Sequence, residues 1–116
     1  MLTPIHIAST VAHVRGQLYH VLVAGKMVSI VLTFHALERI AQWRLTVAGV
    51  LQTILFPEEV LRGHRGRFIA HRRVQTHVVR VIYEYTERIP VVITVYYPLA
   101  KRYFQGHEVY EDHLLS

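Results

Sequence analysis

A histidine and an arginine lie four residues apart in the stretch VLTFHALERIAQWRLT, residues 31–46. Thr33 is a typical N-cap, so we expect a helix to begin there, and residues four apart on a helix lie on the same side. His35 and Arg39 would then form a basic face. Imidazole transfers protons near neutral pH and a guanidinium grips phosphate oxygens bidentately, so this pair is a candidate for chemistry on a phosphate. The buried stripe of the same helix is predicted at Leu37, Ile40 and Ala41.

Both residues also have ordinary structural interpretations. His35 follows the N-cap closely and could simply pack or hydrogen-bond where the helix joins a sheet. Arg39 could form an ion pair with Glu84 or Glu87.

A second cationic cluster lies between Glu59 and Glu84, where the chain has no acidic residue. The basic residues of this interval are Arg62, His64, Arg65, Arg67, His71, Arg72, Arg73, His77 and Arg80. A local field of one sign attracts polyanions, which favours a phosphate-binding surface. The alternative is a solvated strand edge that charge protects from aggregation.

The composition describes one domain of 116 residues with a net charge of +5 and no cysteine. Disulfides, thiol nucleophiles and cysteine-ligated metals are therefore excluded, and a cytoplasmic location is expected. Arg15, His20 and Lys26 interrupt the apolar runs before they reach the ~18–20 residues of a membrane span. We expect no membrane association and no signal peptide.

Two groups of potential metal ligands have unsuitable spacing. His6, His13 and His20 recur every seven residues, which in a helix would separate successive rings by ~10 Å, too far to share one ion. The tail GHEVYEDH, residues 106–113, is rich in ligands but matches no known metal-binding spacing. We expect neither a metal nor another cofactor.

The first half of the chain contains helix and hairpin signals. Thr3-Pro4 and Gly16 predict a short helix over residues 4–15. A hairpin is predicted from residues 18–23 and 27–32, which flank Ala24-Gly25-Lys26. The helix that begins at Thr33 should end near Trp43. A second helix, capped by Thr46, should end before Pro57 and bury Val47, Val50, Leu51, Ile54 and Leu55. A loop with Gly63 and Gly66 should follow.

The second half changes to a strand period. Residues 67–74, 77–86 and 90–97 are rich in Val, Ile, Tyr and Phe and predict an antiparallel meander. On the middle strand, alternation separates Val79, Val81, Tyr83 and Tyr85 from Val78, Arg80, Ile82 and Glu84. The tail from Leu99 is predicted to be either helical or frayed. The predicted fold class is α+β, with two helices packed on a small, mainly antiparallel sheet.

Several segments resemble those of a known family. They are TFHALER (33–39), RLTVAGV (44–50), FPEEV (56–60), RVIY (80–83) and VVITVY (91–96). Together they are similar to DUF4258, an uncharacterised family of the RelE/ParE toxin superfamily, and the resemblance covers about residues 28–104. It implies a toxin of a toxin–antitoxin system that cleaves mRNA without a metal, and that a cognate antitoxin holds inactive. The alternative is a non-catalytic module of the same fold that binds a protein partner, either a gyrase-type target or the antitoxin.

The resemblance also implies roles for individual residues. Arg80 matches the phosphate-gripping arginine of RelE, and with His35, Arg39 and Tyr96 it forms the candidate catalytic set. The candidate RNA-binding residues are Arg67, His71, Arg72, Arg73, Lys101 and Arg102. RelE has a pair of lysines with no clear match here, since the nearest positions carry Arg72 and Arg73.

Residues 1–26 lie outside the resemblance and are predicted to be an N-terminal extension of a domain spanning residues 27–116. They are either a genuine addition or the product of a start codon assigned too early. On this interpretation, a chain that begins at Met27 should fold.

Overall fold

A computed structural model describes residues 3–115 of the chain. It contains one mixed seven-stranded sheet and three helices, which confirms the α+β class. In chain order the elements are β1 (Ile5–His13), β2 (Gly16–Val23), β3 (Lys26–Thr33), α1 (Phe34–Gln42), α2 (Val47–Leu55), β4 (Glu59–Arg62), β5 (Phe68–Val74), β6 (His77–Thr86), β7 (Ile89–Tyr96) and α3 (Ala100–Tyr103).

The strands lie in the order β1-β2-β3-β7-β6-β5-β4. All neighbours pair antiparallel except β3 and β7, which are parallel, so the mainly antiparallel prediction is confirmed. The prediction of a small sheet is wrong. The predicted hairpin and meander join through the β3–β7 pair into one sheet, and β1 and β4 extend it at both edges.

Both predicted helix starts are confirmed. Thr33 Oγ1 accepts a hydrogen bond from Ala36 N at 3.1 Å, and Thr46 Oγ1 accepts one from Gly49 N at 2.9 Å. Each bond satisfies a backbone donor that the first helical turn leaves unpaired. In α1 the buried residues are Ala36 and Ile40, whereas Ala41, expected in the stripe, is exposed. No helix in the described part of the chain is long and apolar enough to cross a membrane.

Helices α1 and α2 cover one face of the sheet, and the core lies between them and the sheet. Val79, Val81 and Tyr83 of β6 point into this core together with Val50, Leu51 and Ile54 of α2. Alternation then directs Arg80 and Ile82 to the opposite face. That face carries polar and charged side chains around β5, β6 and β7, and it is the face that holds the candidate site.

The N-terminal segment is a strand, not the helix predicted for residues 4–15. Ile5 and Ile7 pair with Val23 and Val21 of β2, and a two-residue turn joins β1 to β2. The Thr-Pro helix-start signal depends on neighbouring residues only, and the pairing of β1 with β2 along the whole strand outweighs it. Gly16 ends that turn rather than a helix. A Cβ at this position would lie 2.0 Å from the backbone oxygen of Leu32, so only glycine fits.

The predicted extension forms part of the same sheet and core. Tyr19, Val21 and Val23 of β2 are buried, and β2 pairs with β3 along its full length. Arg15 O also accepts a hydrogen bond from Phe34 N at 3.0 Å, which ties the β1–β2 turn to the first residue of α1. This packing argues against the prediction that a chain beginning at Met27 folds, which a truncation would test.

We therefore expect a chain that begins at Met27 to show no sigmoidal thermal melt by circular dichroism. The truncation deletes three buried β2 side chains, each of which contributes ~1.5–3 kcal/mol to the free energy of unfolding. Their summed contribution is comparable with the ~5–15 kcal/mol total stability of a typical domain. The control begins at Val14 and removes β1 but keeps β2. It should melt cooperatively at a lower temperature than the full chain. A cooperative melt of the chain that begins at Met27, at any temperature, would show that β2 is not needed for folding.

Candidate functional site

Four side chains form a row across the open face of the sheet. In the strand register, Glu59 of β4 is opposite His71 of β5, His71 is opposite Arg80 of β6, and Arg80 is opposite Tyr96 of β7. Directly opposed residues project to the same face and lie within contact distance of each other. The sheet therefore aligns a carboxylate, an imidazole, a guanidinium and a phenol.

Hydrogen bonds connect the first three members of this row. Arg80 Nη1 donates to His71 Nε2 at 2.9 Å. On the other side of the ring, His71 Nδ1 lies 2.7 Å from Glu59 Oε2. We refer to Glu59, His71 and Arg80 as the Glu–His–Arg relay. The orientation of Arg80 is thus coupled to a carboxylate two strands away.

The relay lies mostly out of contact with solvent. Glu59 and His71 are both 0% exposed, and Arg80 is half-buried. Burial lowers the pKa of His71, and Arg80 lowers it further, which outweighs the hydrogen bond and charge of Glu59. Burial raises the pKa of Glu59, but hydrogen bonds from His71, Gln105 and Gly106 reverse the effect and the net pKa is lowered. At neutral pH the pair is therefore a neutral imidazole and a carboxylate.

The segment after β7 covers the relay. The Tyr103 ring of α3 lies over the Arg80 guanidinium, with 4.5 Å from Cζ to the ring centroid, a cation–π contact. Beyond α3, the backbone N–H groups of Gln105 and Gly106 donate to Glu59 at 2.9 Å each. The C-terminal segment thereby excludes water from Glu59 and His71 and leaves one side of Arg80 accessible.

The accessible side of Arg80 faces a cavity of about 440 Å³. Its lining residues are Gly63, His64, Arg65, Arg67, Ile69, Arg80, Ile82, Thr94 and Tyr96. Ile69 and Ile82 supply an apolar surface, while three arginines supply positive charge. Arg67 also donates from Nε to Glu84 Oε1 at 3.1 Å, which fixes its position at the rim. A cavity of this size, with mixed apolar and cationic walls, suits a small anionic group.

Helix α1 places His35 against a residue that lines this cavity. Strand β3 ends at Thr33, and the chain turns into α1, which packs beside β7. His35 Nε2 then lies 3.1 Å from Oγ1 of Thr94, a lining residue. Arg39, one turn later, instead donates from Nη1 to Gln42 Oε1 within the same helix. Among the described residues, Arg39 forms an ion pair with neither Glu84 nor Glu87, and Glu84 pairs with Arg67 instead.

The remaining candidate RNA-binding residues lie in different places. Arg72 points to the helix face, where it donates to Thr53 Oγ1 at 3.1 Å and to Gly49 O at 3.3 Å. Arg73 pairs with Glu58 at 3.0 Å and stacks on Phe104. Lys101 and Arg102 are exposed on α3. Of the candidate RNA-binding arginines, only Arg67 shares the cavity with Arg80, and Arg65 of the same cationic interval lines it as well.

Sequence reasoning missed three residues that shape the site: Glu59, Thr94 and the stacking role of Tyr103. Thr94 is the one polar residue in the apolar run PVVITV, residues 90–95, which is a usable signal. Glu59 has no comparable signal, since its role depends on pairing between β4 and β5. Among residues 3–115, no group of three or more His, Cys, Asp or Glu side chains has a geometry that could hold a metal ion.

We expect the free energy of unfolding to fall as the pH is lowered from 7 to 5. The folded pKa of His71 lies below its ordinary value of 6.5, so the unfolded chain takes up the proton first. This stabilising contribution is complete above pH 6.5 and is lost as the pH falls through the folded pKa. The lowered pKa of Glu59 acts only below its ordinary 4.5, outside this window.

Urea denaturation at pH 7 and pH 5 measures this effect. His71→Gln should lose less stability between the two pH values than the wild type, because it has no imidazole at the buried position. His107→Gln, at an exposed histidine, is the matched control and should lose as much as the wild type. Equal losses in all three proteins would refute the role of His71.

Comparison with known proteins places this site in a family. The model of the domain of unknown function DUF4258 matches residues 32–97, more than half of the chain. The matched segment runs from the end of β3 through β7 and includes the whole relay and Tyr96. No curated protein and no solved structure matches the chain. The likeness to RelE/ParE toxins stays a prediction, but the narrower resemblance is confirmed: the chain belongs to the DUF4258 family.

Proposed function

We propose that this protein is a RelE/ParE-like toxin-type endoribonuclease that cleaves mRNA without a metal ion. One observation carries the proposal. The Arg80 guanidinium is held by His71 in a cationic cavity on the open face of the sheet, and an imidazole, that of His35, hydrogen-bonds Thr94, which lines the same cavity. Cleavage of RNA needs these two kinds of group, a fixed cation for the phosphate and a proton acceptor.

The reaction class is an internal transfer at phosphorus. The ribose 2′-hydroxyl attacks the adjacent phosphorus, the O2′–P bond forms and the P–O5′ bond breaks. The products are a 2′,3′-cyclic phosphate and a 5′-hydroxyl. His35 takes the proton from O2′, and the exposed hydroxyl of Tyr96 delivers a proton to O5′. Proton exchange with water restores both side chains, so the step needs no further reactant.

Arg80 binds the phosphate as negative charge accumulates on its oxygens. A guanidinium presents several donors in a fixed plane, and although burial lowers the pKa of Arg80 from its ordinary value, an arginine side chain stays positively charged at neutral pH. Arg67 and Arg65 at the cavity wall add charge without covering Arg80. Arg39, on α1, adds charge at a greater distance. The volume of about 440 Å³ accommodates one nucleotide rather than a duplex, which favours single-stranded RNA.

The partner in this proposal is a cognate antitoxin. The net charge of +5 favours an acidic protein as well as RNA, since both would be attracted to the same cationic face. An antitoxin that covered the cavity would block access to Arg80 directly.

A second candidate is a non-catalytic module of the same fold that binds a protein target. The residues at the positions nearest the lysine pair of RelE, Arg72 and Arg73, favour this second candidate. Arg72 is engaged with α2 on the helix face, and Arg73 is paired with Glu58, so neither supplies a cation to the cavity. Cleavage activity distinguishes the two candidates.

Arg80→Ala should lower the rate of RNA cleavage by ~100-fold or more, the usual cost of one preorganised donor in a transition state. His35→Ala should lower it by ~100-fold as well, because a proton-transfer group is lost, and His35→Gln should not restore it. Single-turnover cleavage of an RNA oligonucleotide measures these rates.

Arg80→Lys tests folding and charge, since it keeps a cation but loses the planar fork. Arg88→Ala, in the exposed β6–β7 turn, is the matched control; wild-type rates for Arg80→Ala would rule out the assignment.

RNA affinity should fall steeply with salt concentration. If Arg65, Arg67 and Arg80 each neutralise one phosphate, the slope of log affinity against log salt is about −2, from ~0.7 per contact on a single strand. Fluorescence anisotropy with a labelled oligonucleotide measures the slope. Arg67→Ala should make it shallower by ~0.7, while Arg72→Ala, on the opposite face, should leave it unchanged. A flat salt response in the wild type would exclude phosphate binding at this cavity.

A further inference from the structure

We propose that Glu59 and His71 are positioning residues for the Arg80 guanidinium. Glu59 holds His71 in one neutral tautomer, with its proton on Nδ1. The unprotonated Nε2 of His71 then fixes the guanidinium at the cavity. The proposal rests on the proposed function only for its effect on RNA cleavage. The tautomer itself is a property of the folded chain and can be measured without RNA.

The hydrogen-bond chemistry of Arg80 determines which nitrogen of His71 carries the proton. A guanidinium has only donors, so His71 Nε2, at 2.9 Å from Arg80 Nη1, must be an unprotonated acceptor. The remaining nitrogen, Nδ1, then carries the proton and donates to Glu59 Oε2 at 2.7 Å. Either the other tautomer or the imidazolium would direct an N–H of His71 at the N–H of Arg80.

Glu59 is suited to this task because both of its oxygens serve only as acceptors. Oε2 accepts from His71 Nδ1 and from Gln105 N, and Oε1 accepts from Gly106 N. Three donors converge on one fully buried carboxylate, which compensates for its removal from water. An amide in the same place could not satisfy all three donors, since its NH2 group would face at least one of them.

The relay therefore constrains Arg80 from the side of β5, and the Tyr103 ring covers its guanidinium. Tyr96 lies opposite Arg80 on β7, Arg65 and Arg67 line the same cavity, and the ring of Phe104 lies beside His71. No acidic side chain in the described chain forms an ion pair with Arg80, whereas Arg62, Arg67 and Arg73 each have one. A neutral acceptor orients the guanidinium without neutralising it, so its charge stays available for a phosphate.

Two measurements on the full chain test the proposal. Nitrogen-15 NMR of the imidazole at pH 7 should show His71 of the wild type as Nδ1–H with unprotonated Nε2. In Glu59→Gln, the amide NH2 can donate to Nδ1, so the Nε2–H tautomer should become populated. The value of kcat for RNA cleavage should then fall by ~10- to 100-fold with little change in KM, because the guanidinium is displaced rather than lost.

Variants of His71 separate positioning from packing. In His71→Gln the amide oxygen can accept from Arg80 and the NH2 can donate to Glu59, which reproduces the proposed tautomer. His71→Leu fills the space but makes neither bond, so its kcat should fall at least tenfold further than that of His71→Gln. Glu87→Gln, in the β6–β7 turn, is the matched carboxylate control and should leave both the tautomer and kcat unchanged.

The outcomes are distinguishable. A wild-type His71 that is Nε2–H or doubly protonated at pH 7 overturns the proposal, and this result needs no variant to fold. Equal kcat values for His71→Gln and His71→Leu, or a wild-type kcat in folded Glu59→Gln, also overturn it. If the wild type cleaves no RNA, the proposed function fails, and the NMR result alone decides whether the relay positions Arg80.

Discussion

The buried hydrogen bond between His71 and Glu59 is the interaction on which the candidate site depends. A carboxylate without contact to water is costly unless donors surround it, and the chain supplies three, from β5 and from the segment after α3. This requirement explains why β4 and the C-terminal segment lie where they do. β4 brings Glu59 into register with His71, and Gln105 and Gly106 close over it. The covering segment also brings Tyr103 onto Arg80. Stability and the orientation of the candidate catalytic residue thus depend on the same few contacts.

The two faces of the sheet have different tasks. Helices α1 and α2 bury Val, Ile and Leu side chains on one face, and this face supplies most of the stabilisation by burial. The open face has less to bury, so it tolerates the polar row from Glu59 to Tyr96. The parallel pairing of β3 with β7 places the start of α1 beside β7. Strand β3 ends at Thr33, and His35 in the first turn of α1 therefore reaches Thr94. The N-terminal hairpin adds pairing to β3 and so supports the strand from which α1 starts.

Local signals in the sequence predicted much of the fold. Thr33 and Thr46 were identified as N-caps because capping depends on neighbouring residues only. Alternation along β6 placed Arg80 on the face opposite Val79, Val81 and Tyr83, and the structure agrees, since these three residues lie in the core under the helices. The same alternation would have separated Arg72 from His71 and Arg73, but the sequence reasoning grouped all three by charge. The N-terminal strand was mistaken for a helix because Thr-Pro is a local start signal, whereas strand pairing with β2 and β3 is not local. Glu59 could not be found for a related reason: it is twelve residues from His71 and 46 from Gln105, and its burial needs both.

In the function that we propose, the Arg80 cavity cleaves RNA by attack of the 2′-hydroxyl. The most direct measurement is mass spectrometry of the products from an RNA oligonucleotide incubated with the full chain in excess EDTA, with a matched oligonucleotide carrying 2′-deoxyribose at the cleaved position. We expect 2′,3′-cyclic phosphate and 5′-hydroxyl ends from the RNA, and no cleavage at the deoxyribose. Cleavage of the deoxyribose substrate at that position, or no cleavage of either substrate, would contradict this proposal.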